Sequence, residues 1–172
     1  MNTDFYAEYL VEKRSDSMDT LKRIGVLAGI TVLCGVCFVF LGPFAFLFIA
    51  LILYGGYYLF TGLSVEYEYI ITNGSLDVDK IMGRRSRKRM ISTDIETFTD
   101  FGKLKDAPPA PAGCTTVLAS DNTGGEDYYA DLKHKSAGDV RLIFSPNEKI
   151  VEGVEMFLPR QLKLKVRQSK NS

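Results

Sequence analysis

Forty consecutive residues of this chain, Ile24 to Leu63, contain no Asp, Glu, Lys or Arg. That gap excludes an ordinary soluble helix, because one helix of that length would run roughly 60 Å, twice a bilayer core of about 30 Å. The chain also has no Trp, a single His and three Cys among 172 residues. So few thiols and no export signal argue against a disulfide framework. The lone His134, in a Lys-His-Lys context, offers no partner for acid–base chemistry and reads as a surface residue. Charge bias is absent too: 21 basic and 21 acidic residues give no global attraction to nucleic acid. A secretory signal does not fit, since the apolar stretch is far longer than a signal core and no small-residue cleavage pattern follows.

What is present divides the chain into four parts. Gly42-Pro43 sits near the middle of the apolar stretch, where Pro43 interrupts an arriving helix and suits the first turn of a new one. The reading is two transmembrane helices, about 24–41 and 43–63, joined by a tight turn. Lys13, Arg14, Lys22 and Arg23 precede them, and a basic run follows. The uncharged turn then belongs on the far side, and both termini are expected in the cytoplasm of a bacterial cell, at its inner membrane. Tyr54, Tyr57 and Tyr58 fall where aromatic rings favour the interface. Residues 1–23 carry Phe5, Tyr6, Tyr9 and Leu10 at spacings that fit one face of a short amphipathic helix, with Asp19 or Thr20 as N-cap of the membrane helix. Within the first span, Gly25 and Gly29, and again Thr31 and Gly35, have the four-residue spacing that allows close helix packing, within the hairpin or between two copies. Cys34 and Cys37 form a C-x-x-C inside the apolar span and read as helix filler.

From residue 64 the period changes to two. Val65, Tyr67, Tyr69 and Ile71 alternate with Glu66, Glu68, Ile70 and Thr72, and Asn73-Gly74 is a strong two-residue hairpin signal. That turn sets Ile71 opposite Leu76, Tyr69 opposite Val78 and Val65 opposite Met82. Further strands are expected over Arg84–Ile91, Ile95–Phe101, Thr115–Ser120, Asp127–Lys133 and Val140–Phe144. A Pro-rich connector covers 103–113, and a turn-rich loop covers 121–126. Ser145-Pro146-Asn147-Glu148 matches a capping box before a helix with Ile150, Val151, Val154, Phe157 and Leu158 on one face. A basic tail, 159–172, closes the chain. The fold class expected is a membrane α-helical hairpin plus a mainly-β domain over 64–158, a seven-stranded pleckstrin-homology-like barrel capped by a C-terminal α-helix.

The run Glu66-Tyr67-Glu68-Tyr69, Thr72-Asn73-Gly74, Leu76-Asp77-Val78-Asp79-Lys80-Ile81 and the basic residues after it resemble a bacterial family. In that family a two-helix membrane anchor precedes a cytoplasmic pleckstrin-homology-like domain, and no activity is established. The resemblance implies fold and topology only. Phosphoinositide-binding members of the wider superfamily carry basic residues around the first hairpin loop, and Thr72-Asn73-Gly74-Ser75 has none.

The sharp chemical feature is the basic run Lys80, Arg84, Arg85, Arg87, Lys88 and Arg89. Eight extended residues carry the first strand roughly 26 Å out and the second brings the chain back, so Arg84 and Arg85 are expected near lipid headgroups. Three readings compete. Glu66, Glu68, Asp77 and Asp79 could absorb the run as cross-strand ion pairs, an anionic membrane could bind it, or a partner's acidic surface could. The acids at 121, 126, 127 and 131 match no calcium loop, and Asn122-Thr123-Gly124-Gly125 does not make a phosphate-cradling loop. No nucleophile has an evident base, so the chain is expected to be non-catalytic, without cofactors. Membrane lipids and a protein partner, or a second copy of the chain, are the expected partners. The function expected is a membrane-anchored binding scaffold, the alternative a sensor of anionic membrane surface.

Overall fold

Two long helices rise from the ends of two neighbouring strands in the computed structural model, which describes residues 4–123 and 125–170. Strand β1 (Tyr6–Glu12) passes through residues 13–16 into helix α1 (Ser17–Leu41). A short 3-10 turn at Gly42–Phe44 reverses the chain, and helix α2 (Ala45–Gly62) returns it to strand β2 (Val65–Thr72). Gly42 adopts φ +52°, a left-handed conformation that glycine reaches without steric cost. The two helices are antiparallel, since Ile30 packs on Gly56, where an added Cβ would lie 2.2 Å from the Ile30 Cδ1. The whole stretch from Ser17 to Gly62 is long and apolar enough, by length and composition, to cross a membrane.

Helix α1 starts earlier than the sequence suggested. Asp16, not Asp19 or Thr20, is its N-cap and accepts from Ser17 N at 2.7 Å, while Asp19 closes a capping box from the third helical position. The first segment also differs from expectation. Residues 6–12 are a strand, not an amphipathic helix, with Ala7, Tyr9 and Val11 opposite Ile71, Tyr69 and Tyr67 of β2. Pairing with a distant strand overrode a local pattern that also fitted a helical face. Residues 1–3 of that segment lie outside the described residues.

The β domain is two four-stranded sheets. One has the order β1-β2-β3-β4, with β3 (Ser75–Met82) and β4 (Ser86–Asp94). The other has the order β5-β7-β8-β6, with β5 (Phe98–Lys103), β6 (Thr115–Ala119), β7 (Tyr128–His134) and β8 (Gly138–Phe144). Eight strands in two open sheets thus replace the expected seven-stranded barrel, and β1 is the addition. The β2–β3 register is the expected one: Ile71 opposes Leu76, Tyr69 opposes Val78 and Val65 opposes Met82. Asn73 and Gly74 both have positive φ, 48° and 92°, as a tight hairpin between right-twisted strands requires. Tyr69, Ile71, Leu76, Val78, Leu142 and Phe144 fill the space between the sheets with no exposed surface.

Helix α3 (Glu148–Phe157) closes the end of the sandwich farthest from α1 and α2, with Ile150, Val151 and Val154 inward. Its cap is Asn147, whose Oδ1 accepts from Ile150 N at 2.9 Å. Ser145, the residue expected to cap it, is held instead by the Asp127 carboxylate at 2.5 Å. The expected basic tail is largely a second helix, α4 (Arg160–Lys170). Leu162 and Val166, one turn apart, pack against the core and order it. Residues 171–172 of the tail, and Gly124 of the loop, lie outside the described residues.

Candidate membrane-proximal interface

The β3–β4 turn meets the helical hairpin at its base. Gly83 N donates to Ser64 O at 2.8 Å. A Cβ on Gly83 would stand 2.9 Å from Gly62 Cα and 3.0 Å from Thr61 O, and its φ of +58° independently favours glycine. Next to it, Arg85 Nη2 donates to Thr61 Oγ1 at 2.7 Å, with the guanidinium 4.2 Å from the Tyr58 ring centroid. On the other side, Lys13 N donates to Val65 O at 2.9 Å and Lys13 Nζ pairs with Asp19 at 2.7 Å. Arg23 lies over Phe60, 5.8 Å from its centroid. The β3–β4 turn thus lies at the hairpin's end, where Arg85 meets Tyr58, which the sequence set at the interface, and Thr61, which it did not single out.

Three of the six run residues are committed to buried acids on the outer face of the first sheet. Arg84 Nε pairs with Glu66 at 2.9 Å, Arg87 with Glu68 at 2.8 Å, and Arg89 with Asp77 at 2.7 Å and with Asp79. A bulge between Val78 and Asp79 brings Asp79 opposite Arg89. Glu66, Glu68 and Asp79 are only 5%, 3% and 1% exposed, so their charges need those partners. Burial raises the Glu68 pKa, against the pull of Arg87, and the Glu8 and Asp79 carboxylates add to the rise. The Asp79 bond raises the Arg89 pKa. Lys80 and Lys88 oppose each other across β3 and β4, and neither has an ion pair among the described residues.

The expected packing role of Gly25, Gly29 and Gly35 within the hairpin falls elsewhere. Nothing lies within 4 Å of a Cβ at any of the three, and the close contact is made by Gly56. Their face of α1 is turned away from α2.

A family described as Bacterial PH-like domain (DUF6106) matches residues 3–164. The chain belongs to this family. Neither the curated proteins nor the solved structures provide a match. The match spans β1, the hairpin and the first part of α4, so these belong to the family's pattern along with the two sheets of the PH-like domain.

The second sheet of the PH-like domain holds a separate knot. Arg141 of β8 makes two bonds of 2.6 Å to Asp131 of β7, donates to Pro108 O at 2.7 Å and lies over Tyr129. This ties the Pro-rich connector to the sheet. Beside it lies a groove of about 580 Å³ lined by Phe101, Lys103, Lys105, Tyr128, Glu155 and Lys165, among others. Lys103 pairs with Glu126 and Lys165 with Asp100, both at 2.6 Å, which stitches α4 and the loop to β5. His134 Nδ1 lies 3.1 Å from Ser136 Oγ within a turn. Among the described residues no group of three or more His, Cys, Asp or Glu could hold a metal ion. Cys34, Cys37 and Cys114 are free thiols.

Proposed function

We propose that the chain is a two-pass membrane protein that presents its PH-like domain, as a non-catalytic binding scaffold, to a protein partner on the cytoplasmic side of a bacterial inner membrane. The observation that carries this reading is the joint between hairpin and domain. The paired strands β1 and β2 run into α1 and α2 through only residues 13–16 and 63–64, and Gly83 rests on Gly62. A domain so held keeps one face toward the helices and offers the others at a fixed orientation. Lys13, Arg14, Lys22, Arg23 and the basic run all lie at the domain end, while Gly42–Phe44 carries no charge, which supports cytoplasmic termini. The anionic-surface alternative is weakened by the commitment of Arg84, Arg87 and Arg89 to internal acids, and would rest on Lys80, Arg85 and Lys88.

Single cysteines introduced at Asn73 and at Phe44, in a background with Cys34, Cys37 and Cys114 replaced by Ser, test the topology with a membrane-impermeant thiol reagent. Labelling at position 44 alone in intact cells is expected; labelling at position 73 overturns the orientation. For the scaffold role, native electrophoresis of solubilised membranes with and without residues 64–172 is the measurement. Loss of one complex is expected, and an unchanged set of complexes overturns it. If instead the purified protein gathers anionic over neutral lipid and charge reversal of Lys80, Arg85 and Lys88 abolishes that preference, the sensor reading replaces it.

A further inference from the structure

Every open sheet has edges, and an unprotected edge is a template for another strand. Three of the four edges here are blunted. Strand β4 carries Arg87, Lys88 and Arg89 and faces a bulge in its pairing with β3. Strand β5 has a bulge of its own and is braced by α4 through Lys165 and Asp100. Strand β6 is only five residues long and follows the Pro-rich connector that Arg141 fastens. Strand β1 has none of these devices: seven residues, no Pro, no Lys or Arg, and an unbroken register with β2.

The direction of its free backbone groups follows from the bonds at its two ends. Asn73 N donates to Phe5 O, and Lys13 N donates to Val65 O. Bonded pairs alternate along an antiparallel ladder, so the odd-numbered residues of β1 face β2. The N–H and C=O groups of Tyr6, Glu8, Leu10 and Glu12 therefore point away from the sheet, and no backbone bond to them is formed among the described residues. Their side chains lie on the outer face, with Tyr6 58% and Leu10 47% exposed.

Charge decides what fits there. On the outer face Glu8, Glu12, Glu66, Glu68, Asp77, Asp79 and Asp94 stand against Arg84, Arg87 and Arg89, seven acids to three bases, and the bases pair with the four acids of β2 and β3. The β1 margin is left with Glu8 and Glu12. A second copy would bring the same acidic margin alongside, whereas a basic strand would meet its complement.

We infer that β1 is the acceptor edge for an extended, basic segment of a protein partner, which adds as a fifth strand to the first sheet. Its backbone bonds to Tyr6, Glu8, Leu10 and Glu12, alternate apolar side chains cover Leu10 and Tyr6, and Lys or Arg side chains reach Glu8 and Glu12. This inference rests on the scaffold reading and names the partner's chemistry.

The test uses the full chain in nanodiscs of neutral lipid and, as probe, an acetylated eight-residue peptide of alternating Lys and Val, with an alternating Glu and Val peptide beside it. Hydrogen exchange is expected to slow about tenfold or more at the amides of Tyr6, Glu8, Leu10 and Glu12 with the basic peptide only. Leu10→Pro removes an outward N–H that β2 does not use, and Glu8→Lys with Glu12→Lys reverses exposed charge. Each is expected to weaken binding about tenfold while leaving protection in β2 and β3 intact. Absence of protection at millimolar peptide, protection mapping to another edge, or binding that survives Leu10→Pro overturns the inference. So does a dimer without peptide that protects the same amides, which would assign the edge to a second copy. The scaffold reading stands or falls separately, on the complex lost with residues 64–172.

Discussion

The hairpin and the β domain use apolar residues in opposite ways. Along α1 no residue is buried, and along α2 only Ala45 and Gly56 are, while Phe40 is 81% and Phe44 75% exposed. In the domain, Tyr69, Leu142 and Phe144 are fully enclosed. Hydrophobicity alone does not separate these regions; backbone bonding does. A helix satisfies its own N–H and C=O groups and can turn every side chain toward lipid, whereas a strand needs a neighbour, and its apolar face needs a second sheet. On the membrane reading proposed above, the hairpin's stability resides in its surroundings and the domain's in itself.

The largest effects should come from breaking this contrast. Leu142→Ala opens a cavity between the sheets and is expected to cost about 2–5 kcal/mol in denaturant unfolding. Leu33→Ala, at a position 54% exposed on α1, is expected to change domain unfolding by less than about 0.5 kcal/mol. Equal losses would mean that the hairpin is part of the domain's core. Leu33→Lys inverts the test. It should leave the domain's unfolding unchanged but add about 3 kcal/mol to the cost of membrane insertion, read as a loss of membrane-integrated protein. A variant that inserts as well as the parent would show that α1 is not lipid-facing at that point.

A smaller effect sharpens the comparison within the domain. The folded Glu68 pKa lies above its ordinary value, so the folded chain holds that proton more tightly than the unfolded one. Its contribution is fully present below the unfolded value, near 4.3, and is lost as pH rises through the raised folded value. Glu68→Gln, with Glu8, Asp79 and Arg87 still around it, should therefore flatten the fall in stability over that acidic window. Urea unfolding from pH 4 to 7 measures it, and an unaltered slope would place the titration elsewhere.

How much of this was readable in advance depended on the distance over which residues act. The β2–β3 register was legible because Asn73-Gly74 fixes it locally. Strand β1 was not, because Tyr6 pairs with Thr72 across the entire hairpin and the spacing of Phe5, Tyr6, Tyr9 and Leu10 suits a helix as well. Helix α4 was hidden for a related reason: Leu162 and Val166 are few among cations, and only the core they touch orders them. In the candidate site, the balance of bases and acids between residues 65 and 92 announced that pairing was available. The bulge at Val78 and Asp79, which decides that Arg89 meets Asp79, left no mark in composition.

The two short connections at the hairpin base also set a lever. A single tether would let the domain swivel, but two adjoining strands feeding two helices behave as a hinge with both leaves pinned. Rotation about the helix axes is then denied, and tilt is transmitted. With β2 reaching roughly 26 Å from that base, a change of about 10° in helix tilt, within the range bilayers of different thickness impose, would sweep the Asn73-Gly74 tip through about 5 Å. With the hairpin in a bilayer as proposed, bilayer thickness would thereby be converted into the position of the domain's far end.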